Sequence, residues 1–275
     1  MPARPSRLRI CCSAVGLLVA LAPPAFAQDS DSIPEGAQAR GLDVPGAFTP
    51  QPAKEAMPRF RDLFAPLPGD VTRLVSRHNL FLVAAGSAAT LASQPLDARI
   101  ASAGWGGGTV HEVLEPGRIV GAFPVQVGGA LVTYAIGRAT GRARVAEVGA
   151  RVFRAQLVAQ ATTQAIKLTA RRTRPDGSSL SLPSGHTSAA FATASVVQSE
   201  FGWKAGIPAY AIASWVAASR VQMDRHYLSD VIAGATIGVL AGRSVSVGRG
   251  AARFSVAPAF VPGGVGVSFV RISGR

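Results

Sequence analysis

Cysteine is almost missing from this chain: 275 residues hold two, Cys11 and Cys12, and both lie within the first 27. Those 27 residues have the three-part plan of a secretory signal. Arg4, Arg7 and Arg9 make a basic start, Ile10 to Leu21 is mostly apolar, and Ala25-Phe26-Ala27 offers a small-x-small cleavage site. A mature chain starting near Gln28 would carry no cysteine, which excludes disulfide staples and thiolate chemistry. A lipid-modified start is disfavoured by position, since it needs cysteine at the end of the apolar run and these two stand at its beginning. An uncleaved membrane anchor is the alternative to export.

Acidic residues are scarce as well. Fifteen Asp and Glu face 28 Lys and Arg, for a formal charge of +13; without the three signal arginines the mature chain carries +10. Such a balance favours anionic partners. Nucleic acid is not expected, because the chain shows no helix-turn-helix, zinc-finger or RNA-binding signature and export would separate it from that partner. Phosphate esters and anionic lipid headgroups remain. Long hydrophobic runs are also limited: residues 119–137 are free of charge for 19 positions and residues 79–96 for 18, close to the roughly 20 needed to span a bilayer. Both contain proline and small or polar residues, and the mean hydropathy is a modest +0.27. The sequence leaves soluble and embedded forms both open.

What is present reads as one helical domain. Residues 28–58 are rich in Pro, Gly and Ala without periodicity, an extended or disordered lead-in. Helical segments follow at about 69–77, 79–93, 118–137, 144–171, 186–200, 206–219 and 229–243, with Pro95, Gly106-Gly107-Gly108, Pro116-Gly117 and Pro183 in the gaps. An all-α bundle over 59–244 is the expected architecture. Gly234, Gly238 and Gly242, four apart, predict a smooth stripe for close helix packing. Over 245–275 the pattern alternates: Phe254 and Val256, the turn Pro262-Gly263-Gly264, then Val265, Val267 and Phe269 predict a short terminal hairpin.

Three blocks carry the chemistry. In the first, Lys167 to Pro175, a helix turning about 100° per residue would bring Lys167 and Arg174 within roughly 20° of one face. Pro175 disfavours helix at Arg174, so the element ends with a cation at its edge. Two fixed cations suit a phosphate dianion, although a basic stripe alone is usually a solvated face. For Arg171 and Arg172 the alternatives are lipid headgroups held at a pocket lip and, the preferred reading, solvated helix charge. The second block, Pro183-Ser184-Gly185-His186-Thr187-Ser188, opens an Ala-rich helix whose first-turn N–H groups form an anion site, with Gly185 allowing close backbone approach. By itself it is no more than a capped helix with a surface histidine. In the third, Ser219-Arg220 precedes His226 by five residues, and Asp230 stands four beyond His226, so a helical start would set its carboxylate beside the imidazole. A carboxylate on one ring nitrogen fixes the tautomer and frees the other to attack.

Together these are eleven ordered positions within residues 167–230. They resemble the three-part signature of the type-2 phosphatidic acid phosphatase and vanadium haloperoxidase superfamily, over about a quarter of the chain. The resemblance implies a helical bundle of that type with one phosphate pocket. It implies that His226 attacks phosphorus, that Asp230 orients it, and that His186 protonates the leaving group and then activates water. Lys167, Arg174, Arg220, Ser184 and Gly185 would hold the phosphate oxygens. Three cations would replace the metal of many other phosphatases; no metal or cofactor is expected, and His78 and His111 read as structural or surface residues. Trp203, Trp215 and Tyr210 read as core or interface aromatics. The substrate would be a phosphate monoester or a lipid phosphate or diphosphate, met on the periplasmic side with inner-membrane association open. Alternatives are a vanadate-dependent haloperoxidase and a non-catalytic phosphate-binding membrane protein. Oligomeric state is not encoded legibly.

Overall fold

The computed structural model describes residues 56–103, 108–246, 253–261 and 264–272. The secretory segment, the lead-in up to residue 55, Gly106-Gly107 and the side chain of His78 lie outside the described residues.

A short 3-10 turn, Phe60–Leu63, leads into α1 (Leu67–Leu74), α2 (Arg77–Ser102), α3 (Thr109–Leu114), α4 (Gly117–Val120), α5 (Phe123–Ala139), α6 (Ala143–Ala170), α7 (Gly185–Phe201), α8 (Trp203–Gln222) and α9 (Leu228–Ser246). Two boundaries differ from the sequence pattern. Pro95 does not end a helix but lies inside α2. Buried Ser93, Asp97 and Ile100 pack one face of the helix through the break, while Pro95 itself stays exposed, so the cost of one lost backbone bond is outweighed. The uncharged run 119–137 is not one helix: the chain breaks at Gly121-Ala122, the segments 109–120 and 123–139 lie 58° apart, and Pro124 occupies the first turn of α5, where its missing N–H removes nothing.

The interior is built from α6, α7 and α9. Alanines 146, 150, 155 and 159 keep the buried face of α6 thin, and Gly137 and Gly149 let α5 and α6 touch; a Cβ at Gly149 would lie 2.3 Å from the Tyr134 nitrogen. The glycine stripe on α9 does the same against α7. A Cβ at Gly234 would stand 2.5 Å from the Ser184 carbonyl oxygen, and one at Gly238 would stand 2.4 Å from that of Ser188. Those obstacles are main chain and cannot swing aside. Gly238→Val is therefore expected to lower the melting temperature of the purified protein by about 6 °C or more, on the order of 3 kcal/mol of overpacking. An unchanged melting temperature would mean that the helices do not touch there.

Among the described residues α9 is the one single helix long and apolar enough to cross a membrane, and it lies mostly inside the bundle. The surrounding helices turn apolar side chains outward: Leu80, Phe81 and Leu91 on α2, Val125, Val132 and Ile136 on α5, Ile207 and Ile212 on α8. Polar pairs gather at the end of the bundle where α7 finishes. There Glu200 meets Arg151, and its carbonyl accepts from Arg144 at 2.7 Å. The end of the lead-in is anchored near α5, with the Pro58 carbonyl accepting from Arg138 at 2.7 Å. Buried Asp70 ties α1 to α6 through Arg154 at 2.9 Å. Beyond α9, β1 (Arg253–Val261) and β2 (Gly264–Ile272) form the expected antiparallel hairpin, with Val256 opposite Phe269 and Phe260 opposite Val265.

Candidate active site

The three blocks converge at the other end of the bundle, where α6 and α8 finish and α7 and α9 begin. Lys167 sits in the last turn of α6, buried, with Nζ donating to the Leu180 carbonyl at 2.5 Å and reaching that of Ser181 at 3.4 Å. The helix stops at Ala170, and Arg171 turns left-handed with φ 45°. Arg174 is therefore not on the helical face shared with Lys167, as seven-residue spacing had predicted. It rides in a tight loop instead: its N–H donates to the Ser178 carbonyl at 2.7 Å, Gly177 has φ +84°, and the Asp176 carboxylate accepts from the Ser178 N–H at 2.9 Å. That loop folds Arg174 back to within electrostatic reach of Lys167, His186, Arg220 and His226.

Ser184 caps α7. Its hydroxyl oxygen accepts from the Thr187 N–H at 3.4 Å and the Thr187 hydroxyl at 2.9 Å, which leaves its own proton to be donated. Its N–H donates to the Asp230 carbonyl at 2.9 Å, joining the starts of α7 and α9. Close approach at Gly234 is what permits this bond. By position, the Gly185 and His186 N–H groups have no acceptor within their own helix, and a Cβ on Gly185 would meet nothing nearer than 3.8 Å. His186 follows, its ring bonded to the main chain of Arg118 and lying within the field of Arg220, His226 and Arg174. Residues 109–121 form a wall over this corner that the sequence pattern did not reveal. A Cβ on Gly121 would press on Val216 at 2.4 Å and on the His186 Cβ at 3.1 Å.

The third block explains its own spacing. Arg220, buried in the last turn of α8, offers its carbonyl to the N–H groups of Arg225 at 3.1 Å and His226 at 3.2 Å, so five intervening residues close a loop on it. Arg225 pairs with Asp176 at 2.7 Å, tying this loop to that of Arg174. His226 is buried, with Nδ1 3.8 Å from the Asp230 Oδ2. At that distance the contact is electrostatic rather than a hydrogen bond, and Nδ1 has no hydrogen-bond partner among the described residues. Burial pushes the imidazole below its ordinary value, with Asp230 opposing and Lys167 and Arg174 reinforcing, so it is neutral at pH 7 with an electron pair available.

Lys167, Arg174 and Arg220 are in no ion pair among the described residues, and the Arg174 Nε, buried, has no partner there. Asp230 is engaged: it accepts from Arg172 at 2.8 Å, the Ser181 hydroxyl at 2.5 Å and the Tyr227 N–H at 2.9 Å. Arg172 is thus not the solvated charge its surroundings in sequence suggested. With Asp97 and Ser181 it was missed because its partners lie far away along the chain. One signal was available for Asp97, a lone acid closing a long uncharged run. His111 meets Gln222 at 3.3 Å, the structural role expected of it, and Trp215 donates to the Val113 carbonyl at 3.0 Å. Trp203 is half exposed at the start of α8.

Residues 150–253, which contain all three blocks, match the family model for the PAP2 superfamily. The match covers about two fifths of the chain and is a likeness to that superfamily. Over 75 residues, 26% of its length, the chain is 43% identical to the lipid A 1-phosphatase of Porphyromonas gingivalis, and it spans only 17% of that relative. In three dimensions it is similar to a transmembrane PAP2 type phosphatidylglycerolphosphate phosphatase from Bacillus subtilis. The TM-score is 0.50 at 23% identity, covering 64% of this chain and 94% of the other. That likeness shows the fold alone: an all-α bundle similar to that of the solved phosphatase.

Proposed function

We propose that the chain is a metal-independent phosphatase that hydrolyses a lipid phosphate or diphosphate through a phosphohistidine at His226. The observation that carries this reading is the set of three cations, Lys167, Arg174 and Arg220, gathered beside two imidazoles with no ion-paired carboxylate among the described residues. Two of them, Lys167 and Arg220, are buried, and buried cations in that state are costly unless an anion completes them. The phosphate's non-bridging oxygens would lie among these cations, the Ser184 hydroxyl and the first-turn N–H groups of α7, where charge spreads in the transition state. His226 Nδ1 faces Asp230, so Nε2 attacks. A nitrogen–phosphorus bond forms as the ester oxygen–phosphorus bond breaks, and His186 gives its proton to the departing alkoxide. Burial and the neighbouring cations hold the His186 pKa down to about 4 until the bound phosphate dianion offsets them and lets the ring protonate. His186 then takes a proton from water, which displaces His226 and releases inorganic phosphate. Relatives named as lipid phosphatases support a lipid-linked substrate.

A membrane setting follows from the same physics. Apolar outward faces on α2, α5 and α8 belong against hydrocarbon rather than water. Arg138, Arg142 and Arg144 flank the α5–α6 turn and Lys204 lies near the α7–α8 turn, both at the end opposite the site, a separation of about 25 Å along α7. The deciding experiment is phosphate release by the purified chain from a panel of lipid and soluble esters with EDTA present, after fractionation into soluble and detergent-requiring pools. Turnover is expected on lipid phosphates from the detergent pool, blocked by vanadate and indifferent to EDTA. A strict requirement for added divalent metal would overturn the mechanism.

A further inference from the structure

Asp97 stands on α2, seventy positions before the first block, yet it is buried beside the third. Its Oδ1 accepts the Ser229 N–H at 3.0 Å, and its Oδ2 accepts the Ser229 hydroxyl at 2.5 Å and the Arg172 Nη2 at 2.8 Å. A carboxylate from a neighbouring helix thereby caps the first turn of α9. The second terminal nitrogen of Arg172, Nη1, donates to the Asp230 Oδ1 at 2.8 Å and to the Ser229 hydroxyl oxygen at 2.7 Å. Its guanidinium carbon lies 4.3 Å from the centre of the Tyr227 ring, which fixes the plane of the fork.

We propose that Asp97 and Arg172 are positioning residues for the His226 nucleophile, forming with Asp230 a carboxylate–guanidinium–carboxylate bridge that aims Asp230 and balances the charge His226 acquires. This rests on the phosphohistidine reading. Arg172 occupies Oδ1 of Asp230, while Ser181 and the Tyr227 N–H hold Oδ2, the oxygen that faces the imidazole. The carboxylate has no free rotation left. An Arg172–Asp230 pair alone would be neutral and could not offset an imidazolium. With Asp97 the bridge carries a net charge of −1, and when Nε2 bonds phosphorus and the ring becomes cationic, bridge and ring together are neutral. Arg172 also stands between the two buried carboxylates, donating to each and so offsetting their mutual repulsion.

The test compares Asp97→Asn, Arg172→Lys and His226→Ala in the full chain, reading kcat, KM, inhibition by inorganic phosphate, and melting temperature. Both bridge variants are expected to lose roughly 10- to 100-fold in kcat, as supporting residues around a reacting group do. KM and the inhibition constant for phosphate should stay within about 2-fold, because the three cations that bind phosphate are untouched. A parental kcat in either folded bridge variant, with His226→Ala inactive, would reduce the bridge to a strut for α2 and overturn the proposal. Losses in KM and phosphate affinity equal to those in kcat would overturn it too. Should Asp97→Asn fail to fold, Arg172→Lys decides alone, since it preserves the charge and removes only the fork. Turnover by His226→Ala would instead sink the phosphohistidine reading, and the bridge with it.

Discussion

His226→Ala is expected to abolish phosphate release, with a loss of about 10⁴-fold or more on every substrate the parent accepts. The reason is local. The imidazole is buried, neutral at pH 7 by desolvation, and oriented with Nδ1 toward Asp230, so in the proposed mechanism Nε2 is the nitrogen that attacks. Alanine removes the electron pair and leaves Lys167, Arg174 and Arg220 in place. The variant should therefore still bind inorganic phosphate and melt within a few degrees of the parent, since the loop is held by main-chain bonds to the Arg220 carbonyl rather than by the ring. Incubation with a radiolabelled substrate and an acid quench should trap a phosphoryl group, labile in acid and stable in base, on the parent and not on the variant. Parental turnover by the variant would remove the covalent mechanism.

His186→Ala should separate the two half-reactions. Its expected cost on alkyl phosphates is about 10²- to 10⁴-fold, the usual range for a positioned general acid, because a poor leaving group cannot depart without a proton. An aryl phosphate with an acidic phenol needs no such help, so attack by His226 proceeds. Breakdown of the phosphohistidine still needs a base, and His186 is the group placed to serve. The variant should then release one equivalent of phenol in a burst and turn over slowly afterwards, while the phosphoryl group accumulates on His226. Parent and variant giving the same steady rate on aryl esters, with no burst, would show that His186 plays neither part.

The blocks around Lys167, Ser184 and His226 were legible in the sequence because their chemistry lies in residue type and short spacing. The spacing from Ser219-Arg220 to His226 has a local cause, a five-residue loop that returns to the Arg220 carbonyl. The glycine stripe of α9 was legible for a similar reason: period and side-chain size alone predict a face for close approach, and α7 lies against it. The helical class followed from periodicity. The helical stripe assigned to Lys167 and Arg174 did not hold, because a left-handed Arg171 ends α6 four residues before Arg174, and that is a decision of backbone conformation rather than spacing.

Residue types and their order by themselves determined the helical class and which side chains are the candidates for handling phosphate. Only the tertiary structure decided that Asp97 and Arg172 stand behind Asp230, and that residues 109–121 wall the pocket. It also decided which helices turn apolar faces outward around a buried α9. The reason is range. Spacing along a chain reports contacts within a turn or two of helix, whereas an ion pair between residues seventy-five apart exists only once packing has removed both from water and left each the other's remaining partner.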